Sequence, residues 1–512
     1  MAKTSPTQIP EDNVAYPVDA YITHTKRVKL LNTLMEGTLA MKAAGEEYLP
    51  KEPEESEKNY QCRLERTYLL NVYRRTVMYL SGQVFSRPMI LQDDNVEEVF
   101  ELAENIDRQN NNMDVFCKKV FEQALVDGIS FILVDYPPAP TDLNKETEKK
   151  LGVRPYWVHI PIGSLIGWKT EERDGSTILT QIRIKETIEK PKGKYGIEMV
   201  SRIRVINIGS YEIYEDSSGG KEATWKLIES GPTTFIGEIP LAVFMPGDFI
   251  TTMTARPPLE DLGYLNLAHW QSLSDQTNIL HYARVPLLFG KLLADDPTKI
   301  AIGPNRMIHS NREESSLNYV EHSGAAIGSG RESLDDIESR MALYGLQLLI
   351  PKTGRVTATE KALSSGESDC TLKTWTLMFK DTIEQCLVFT YKWMKLEDPG
   401  SVNLNTEYRL LQTADADVLI KAKVAGILPR RTILKEFLLR GIIANDSDLD
   451  DIEDWLAEEE ADAASSSLQG TFLKNIQSVP GLPQPGGVLP EPKVPLPKTP
   501  RPGLPNFTKK GK

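Results

Sequence analysis

The stretch PPLEDLGYLNLAHWQSLSDQTNILHYARVP, residues 257–286, decides how the rest of the chain is read. Leu267, Trp270, Leu273, Thr277 and Leu280 recur at steps of three or four, which places them on one face of a helix. Pro257 and Pro258 suit a helix start, where a missing amide proton costs nothing. Pro286 limits the far end, because the residue before a proline is pushed out of the α region. One helix from Pro258 to Ala283 would be about 39 Å long, from the ~1.5 Å rise per residue. Such a length suits a strut better than the wall of a pocket.

Between Val285 and Gly330 the pattern changes to short β-prone pieces, Arg306–His309 and Leu317–Val320, interrupted by Gly303-Pro304 and by Gly324, Gly328 and Gly330. The chain then turns back. Ser333 and Asp336 have capping-box spacing, with Asp in place of the usual Glu, and Leu334, Ile337, Met341, Tyr344 and Leu348 continue a helical stripe. After Pro351, KTGRVTATEKALSSGESD (residues 352–369) carries too little apolar side chain to bury itself and predicts a mobile loop. Ser368 is placed to cap the next helix. From Thr371 onward Leu372, Trp375, Phe379, Ile383, Leu387, Tyr391 and Met394 sustain a helix for about seven turns, by the 3.6-residue period, until Asp398-Pro399-Gly400 stops it.

Toward the N-terminus, residues 1–55 read as a polar arm with one helix, Tyr21–Ala44, available to a neighbouring copy. Helices follow over Cys62–Leu80 and Met113–Val126, the second ended by Asp127-Gly128, where glycine suits a left-handed cap. Ile129–Val134 is short and β-branched enough for a buried strand. From Tyr156 to Phe244, Ile182 and Ile184 alternate with Arg183 and Lys185, and Ile203 and Val205 with Arg202 and Arg204. With a turn at Gly219-Gly220, this predicts an antiparallel sheet or small sandwich. Short helices return at Ala416–Ala425 and Arg430–Leu439, ended by Gly426 and Gly441. Beyond Pro480, GLPQPGGVLPEPKVPLPKTPRPGLP favours extended or unstructured chain. The fold class is α+β.

The order strut, insertion, strut, loop, long helix resembles the bacteriophage portal protein family, in the branch catalogued as a domain of unknown function. The residues that carry the resemblance are the opening stretch, the loop TGRVTATEKALSSGES, and the earlier YLSGQVFSRP and FEQALVDGISFILVDYP. It spans about residues 20 to 460 and rests on packing patterns, not on reactive groups. The resemblance implies a portal-like ring subunit divided as follows. Residues 1–256 form an N-terminal, β-rich wing, with helices preceding the antiparallel sheet, and 257–285 the first stem helix. A small α/β clip occupies 286–331 and the second stem helix 332–349. The channel loop is 350–369, the spine helix 370–398, a helical C-terminal wing or crown 399–465, and a proline-rich tail 466–512.

What such a subunit does is implied by the same resemblance. Copies form a ring, a dodecamer in the family, at one capsid vertex of the virion, assembled in the host cytoplasm. Double-stranded DNA passes through it without sequence reading during packaging and ejection. The terminase large subunit and later head–tail adaptor proteins dock on the clip, and the major capsid and scaffolding proteins are further partners. Lys352, Thr353, Arg355 and Lys361 are the channel-loop candidates. Their positive charges would steady a duplex through its phosphates, or be simply solvated. Lys291, Lys299, Arg306 and Arg312 are the candidates for motor docking on the clip.

Composition agrees with a structural role. The 512 residues are 40% hydrophobic and 26% charged, enough for a sizeable core. No apolar run approaches the ~18 residues of a membrane helix, and MAKTSPTQIPEDN lacks the apolar stretch of a secretory signal. A membrane partner is not expected. The formal net charge of −13 argues against binding that grips phosphate through Lys and Arg. NDSDLDDIEDWLAEEEADA, residues 445–463, holds no basic residue, whereas the tail after Thr471 is basic. The acidic run is either a solvated helical face or part of a wall that repels DNA. Twelve subunits at −13 each would sum to −156, a field that keeps a duplex from adhering.

Signals of chemistry are sparse. Cys62, Cys117, Cys370 and Cys386 form no CxxC and are expected to be buried structural thiols. His269 and His281 are twelve apart, and His24, His159, His309 and His322 lack carboxylates at ligand spacing, so no metal is expected. Gly328-Ser-Gly330-Arg-Glu-Ser333 nearly follows a dinucleotide fingerprint between a strand and a helix. Ser333 replaces its third glycine, so a flexible return turn is the simpler reading, and no cofactor is expected. Gly366-Glu-Ser368 lacks the closing glycine of a nucleophile elbow. No catalytic residue is assigned. Two other classes remain open: a different head–tail scaffold or adaptor of a virion, and a nucleotide-dependent enzyme using the Gly328 segment.

Overall fold

Gly37 adopts φ +95° and splits the N-terminal helix into α1 (Asp19–Glu36) and α2 (Thr38–Ala44) in the computed structural model of the chain. The structure describes residues 10, 12–92, 94–137, 153–218, 224–233, 235, 237–284, 287–291, 314, 316–320, 324–345, 358–406, 408, 420–421, 429–439, 452 and 455–457. The chain forms two units, Met1–Tyr408 and Arg409–Lys512.

Leu30, Leu31 and Leu34 of α1 and Met41 of α2 lie in the main core, so these helices belong to the body and are not part of a free arm. The helix expected over Cys62–Leu80 is likewise two, α3 (Glu57–Arg66) and α4 (Val72–Val84). The break has a local cause: Thr67 turns its hydroxyl back to the Arg63 carbonyl (2.8 Å), and Asn71 caps α4 by accepting from the Arg74 amide (2.9 Å). A two-residue strand β1 (Ile90–Leu91) and a short helix α5 (Glu97–Ala103) follow, neither visible as a periodic pattern.

Helix α6 (Met113–Asp127) starts where Asn112 accepts from the Val115 amide (2.9 Å) and ends on Gly128 at φ +78°, as the sequence predicts. Strand β2 (Ser130–Asp135) follows at once. It pairs antiparallel with β3 (Tyr156–Pro161) on one side and with β9 on the other, forming a three-stranded sheet in the order β3-β2-β9. A separate five-stranded antiparallel meander contains β4 (Leu165–Arg173), β5 (Ser176–Lys192), β6 (Gly196–Asn207), β7 (Ser210–Asp216) and β8 (Trp225–Pro232). The expected sheet is thus two sheets, and Gly219-Gly220 lies outside the described residues. Strand β9 is Leu241–Phe244, and a hairpin of β10 (Asp248–Thr251) and β11 (Thr254–Arg256) leads into helix α7 (Glu260–Ala283).

Alternation along β2 sets the layers. Ile132 and Val134 point into the core made with the helices, whereas Phe131 and Leu133 join Ile160, Leu165, Ile182 and Ile184 in a second core beneath the meander. Arg204 ties the two sheets together: it pairs with Asp135 of β2 and with Glu186 (2.7 Å), and Tyr156 donates to the same Asp135 (3.0 Å). Burial and the Asp135 charge push the Tyr156 hydroxyl up to about 12.

Strands β12 (Leu287–Lys291) and β13 (Ser316–Val320) pair antiparallel, and helix α8 (Ala325–Tyr344) returns from them. Helix α9 (Ala358–Met394) is 37 residues long, and strand β14 (Val402–Asn403) pairs with β1. In the second unit α10 (Arg430–Leu439) forms as expected and buries Ile433; Ala416–Ala425 falls mostly outside the described residues.

The α9 stripe is placed as the sequence predicts, with Leu372, Trp375, Phe379, Ile383, Leu387 and Tyr391 all buried. Phe379 meets Phe85, Phe121 and Phe244 at ring separations of 6.1, 5.4 and 4.7 Å. Trp157 donates its indole proton to Thr390 (3.0 Å), and Trp393 donates to the Val134 carbonyl (3.0 Å), so α9 is pinned to the three-stranded sheet. Cys117 and Cys386 are buried, which pushes both thiols well above their ordinary range, but Cys62 is exposed at the surface of α3 and is not a core thiol.

Truncating Phe379 to Ala should cost the subunit about 3–5 kcal/mol, the usual range for a buried aromatic. Leu377→Ala, two residues away on the exposed side of α9, should stay within about 0.5 kcal/mol. Urea unfolding of the two variants checks the contrast.

Candidate functional site

The first strut that the sequence singles out, α7, leaves from one root, where α6, the β10–β11 hairpin and α7 meet. Gly128 sits there because nothing larger fits: a Cβ would lie 2.9 Å from the Pro257 nitrogen and 3.0 Å from the Arg256 carbonyl carbon, at a backbone angle that disfavours side chains. The Gly247 amide donates to the Gly128 carbonyl (3.0 Å), so three segments touch backbone to backbone. Just beyond, Glu260 in the first turn of α7 receives Arg256 (2.9 Å) and Arg27 of α1 (3.4 Å). Acidic residues at this end also complement the helix dipole.

From that root α7 docks through polar groups. Asn266 accepts from the Tyr73 amide (2.9 Å) and donates to the Leu70 carbonyl (3.0 Å), holding the α4 side of the α3–α4 break. The Thr67 and Ser274 hydroxyls hydrogen-bond to each other (2.9 Å), and Arg66 donates to Asn278 (2.9 Å). Gly263 lets Leu31 of α1 lie against the helix. The buried face therefore runs through Leu262, Gly263, Asn266, His269, Trp270 and Ser274. Of the apolar stripe expected to be buried, only Trp270 is; Leu267, Leu273, Thr277 and Leu280 are half-buried.

Helix α8 runs back antiparallel to α7. Gln276 donates to the Ile327 carbonyl (2.9 Å) near one end, and His269 Nε2 lies 3.2 Å from Glu338 Oε1 further along, with Leu334 and Met341 buried between the elements. The return helix begins at Ala325, not 332, with Gly324 in the left-handed conformation before it. Gly328, Gly330 and Ser333 are consequently inside the helix. A side chain at Gly330 would displace the Gln276 amide, so this glycine serves close helix approach and not a phosphate turn or a flexible return turn, and Ser333 is no cap.

The channel-loop candidates divide. Helix α9 starts at Ala358, so Lys361 belongs to its second turn and Ser368 to its interior, correcting a loop to 369 and a spine beginning at 370. Lys352, Thr353 and Arg355 lie outside the described residues. Among the clip candidates, Lys291 is exposed at the end of β12, paired in register with Ser316, and Lys299, Arg306 and Arg312 lie outside the described residues, as does Arg306–His309. The described structure brings none of these residues together. What sequence periodicity missed is the polar face of α7, because a search for apolar steps passes over Asn266, His269, Ser274 and Gln276.

Among the described residues no group of three or more His, Cys, Asp or Glu is placed to hold a metal, and no helix is long and apolar enough to cross a membrane. Ser130 and His159 hydrogen-bond at 2.8 Å, but Ser130 is fully buried and the pair ties β2 to β3. Burial, reinforced by Lys119, lowers His159 to about 4.

Asp127, next to the root glycine, is buried with its carboxylate held by Asn32 (2.8 Å) and Gln123 (2.7 Å), and burial raises it from 3.8 to about 6. The His24 ring donates to the Asp127 carbonyl (2.9 Å), and burial lowers His24 from 6.5 to about 4, with Arg27 adding to the effect. Tyr73 is buried beside them, and the Asp127 charge adds to the burial that raises it.

Against known proteins, residues 258–394 match a family model described as Domain of unknown function (DUF4055). That span runs from Pro258, two residues before α7, to the last residue of α9. The chain matches no curated protein. Among solved structures it is similar to a chain in the neck of a native gene transfer agent (GTA) particle computed with C12 symmetry, at 11% identity and TM-score 0.42. It is also similar to one in the neck of an empty GTA particle computed with C6 symmetry, at 10% and 0.41, and to one in the virion of the native particle, at 10% and 0.40. Each alignment covers 72% of this chain and 89% of the other.

The two buried groups at the root oppose each other. Asp127, raised when folded, contributes most below 3.8, and its contribution is lost as pH rises through 6. His24, lowered when folded, contributes fully above 6.5, and that is lost as pH falls through 4. Relative to wild type, His24→Gln should gain stability by on the order of 2 kcal/mol between about pH 6.5 and about pH 4.5, and Asp127→Asn should lose a similar amount. Denaturant midpoints across that window check the signs; parallel profiles for the three proteins would refute the assignment.

Proposed function

We propose that this chain is a structural portal subunit of a tailed-phage-like particle, forming a ring at one capsid vertex through which double-stranded DNA enters and leaves. One observation carries the reading. A pair of antiparallel helices, α7 and α8, starts from a tightly packed root, has the paired strands β12 and β13 between its members in sequence, and is followed by the 37-residue α9, whose stripe from Leu372 to Tyr391 is buried in the core. Such a subunit needs a rigid strut whose body is fixed independently of the parts that meet DNA. The α7–α8 pair with its polar docking face, and α9 held by Trp157, Trp393 and Phe379, supply that division. The net charge of −13 per copy suits a bore in which DNA must move without sticking.

In this role α7 and α8 are the stem, β12–β13 with Lys291, Lys299, Arg306 and Arg312 the clip on which the terminase large subunit and then adaptor proteins dock, and α9 the spine. Lys352, Thr353 and Arg355, with Lys361 on the first turns of α9, face the passing duplex and touch its phosphates. The chain itself supplies no step of ATP hydrolysis; the motor does.

Electron microscopy of the purified protein should show closed rings of about twelve copies, the family's number, with an axial hole. Solitary particles without a hole under all assembly conditions would end this reading, and a ring that supports no DNA packaging would favour a head–tail adaptor. Replacing Lys352, Arg355 and Lys361 together by Ala should leave ring assembly intact and reduce packaged DNA; an unchanged yield would remove the channel role from these residues.

A further inference from the structure

The loop joining α5 to α6 lies along β3 and is fixed by its own side chains. The Asn110 amide donates to Asn105 Oδ1 (2.9 Å), and the Gln109 and Asn111 amides donate to Asp107 Oδ1 (2.8 and 3.3 Å). The Ile106 amide donates to the Asn111 carbonyl (3.0 Å), and the Ile106 carbonyl accepts from the Trp157 amide of β3 (3.0 Å). Within this frame Arg108 takes φ +60° and Asn110 φ +65°. Asparagine tolerates the left-handed region, but an arginine there is uncommon and strained. From that position the Arg108 guanidinium lies over the Tyr156 ring, 5.3 Å from its centre.

A second arginine is held against the same loop. Arg154, two residues before Tyr156, donates to the Asn105 carbonyl and to the Pro155 carbonyl (3.3 Å). The two like charges oppose each other: burial, and then the charge of Arg108, lower Arg154 from its ordinary value, with Asp107 working against both. Among the described residues neither arginine forms an ion pair with a carboxylate. Asp107 spends both oxygens inside the loop, on the amides already named and on the Asn111 side chain (2.6 Å). Asp135 is taken by Arg204 and Tyr156, and Glu104 points its exposed residue to neither guanidinium within ion-pair distance. In a chain with formal charge −13, two fixed guanidinium groups without an acid are an unbalanced arrangement that a bound anion would relieve.

We infer that Arg108 and Arg154, beside Tyr156, form a binding site for a phosphate group, either the free ion or a unit of a nucleic-acid backbone. Planar guanidinium forks suit an oxyanion with several acceptor oxygens, and two adjacent positive charges match a phosphate better than a single carboxylate. Arg154 has more N–H groups than its two carbonyl partners use, so it serves as the anchored side of the site. Arg108, exposed and stacked on the ring, serves as the outer side that meets the ligand. The site does not depend on the ring reading, since no part of the α7–α8 pair, the β12–β13 strands or the channel-loop candidates enters it.

Titration calorimetry of the full chain with inorganic phosphate, in a chloride buffer, tests it. Wild type should take up phosphate saturably, and Arg108→Ala should weaken that uptake roughly tenfold, the scale of one charge-assisted hydrogen bond. Arg154→Lys should weaken it as well, because an ammonium group lacks the planar fork. Lys119→Ala removes a cation that reaches the loop only through Asn111 (3.3 Å) and should leave uptake unchanged. Melting temperatures in chloride buffer confirm that each variant folds; Arg108 is exposed, so its variant decides. A short DNA duplex of mixed sequence is titrated in parallel. Duplex binding that follows the same order of variants, without uptake of the free ion, supports the site and assigns its phosphate to nucleic acid; uptake of the free ion alone supports it and assigns the free ion. No saturable binding of either probe, Arg108→Ala binding as tightly as wild type, or equal losses in Arg108→Ala and Lys119→Ala would each overturn the inference, the last because general charge alone would then be at work. None of these results bears on ring formation, which microscopy reads separately.

Discussion

Strand β2 is buried on both faces, and the rest of the molecule is arranged around that constraint. A six-residue strand, SFILVD, presents Ile132 and Val134 to one core and Phe131 and Leu133 to the other. Because side chains alternate strictly, a slip of one residue would exchange the two sets and leave both cores misfilled. The pairing with β3 and β9 therefore has one workable register, and the helices above and the meander below are positioned by it. Arg204 reinforces the arrangement by carrying a half-buried charge between the sheets. Its worth lies in the partners it satisfies, Asp135 and Glu186, since an unpaired guanidinium at that depth would be costly.

The junction at Gly128 transfers that order to α7. Helix α6 ends, β2 begins, and the backbone of Arg256 and Pro257 lies against the one residue between them that has no side chain to obstruct it. The α7 helix leaves this point already oriented, and Asn266 then locks it to the break between α3 and α4 through two hydrogen bonds to backbone. Buried polar contacts of this kind add little net stability each but are expensive to leave unmade, so they specify one docking geometry.

Much of this was legible in the residues. The α9 stripe, the α6 helix with its glycine cap, the β2 strand, the alternation of Ile182 and Ile184 and of Ile203 and Val205, and the strut–hairpin–strut order all follow from periodicity and turn residues. Periodicity failed where a polar side chain competes with the helix. Gly37 and the Thr67–Asn71 segment interrupt patterns that read as continuous, because a positive φ in one case and side-chain capping in the other end a helix without interrupting its apolar spacing. It also failed at helix starts: polar, glycine-containing sequence at 324–332 and 358–369 reads as loop, yet it is helical once a long neighbouring segment propagates through it, since extending a helix is far easier than nucleating one. The charged positions chosen on the clip and channel loop were selected by composition and resemblance, and the described structure does not bring them into one site.

Sequence alone determined the class of elements, their order and the apolar faces of α6, β2 and α9, because those depend on local spacing and on a hydrophobic effect that is insensitive to partner identity. Only the tertiary structure decided which face of α7 is buried. That face is chosen by backbone groups left without partners at the α3–α4 break and by the packing of α8, groups distant in sequence whose need for hydrogen bonds outweighs the half-buried leucines of the other face.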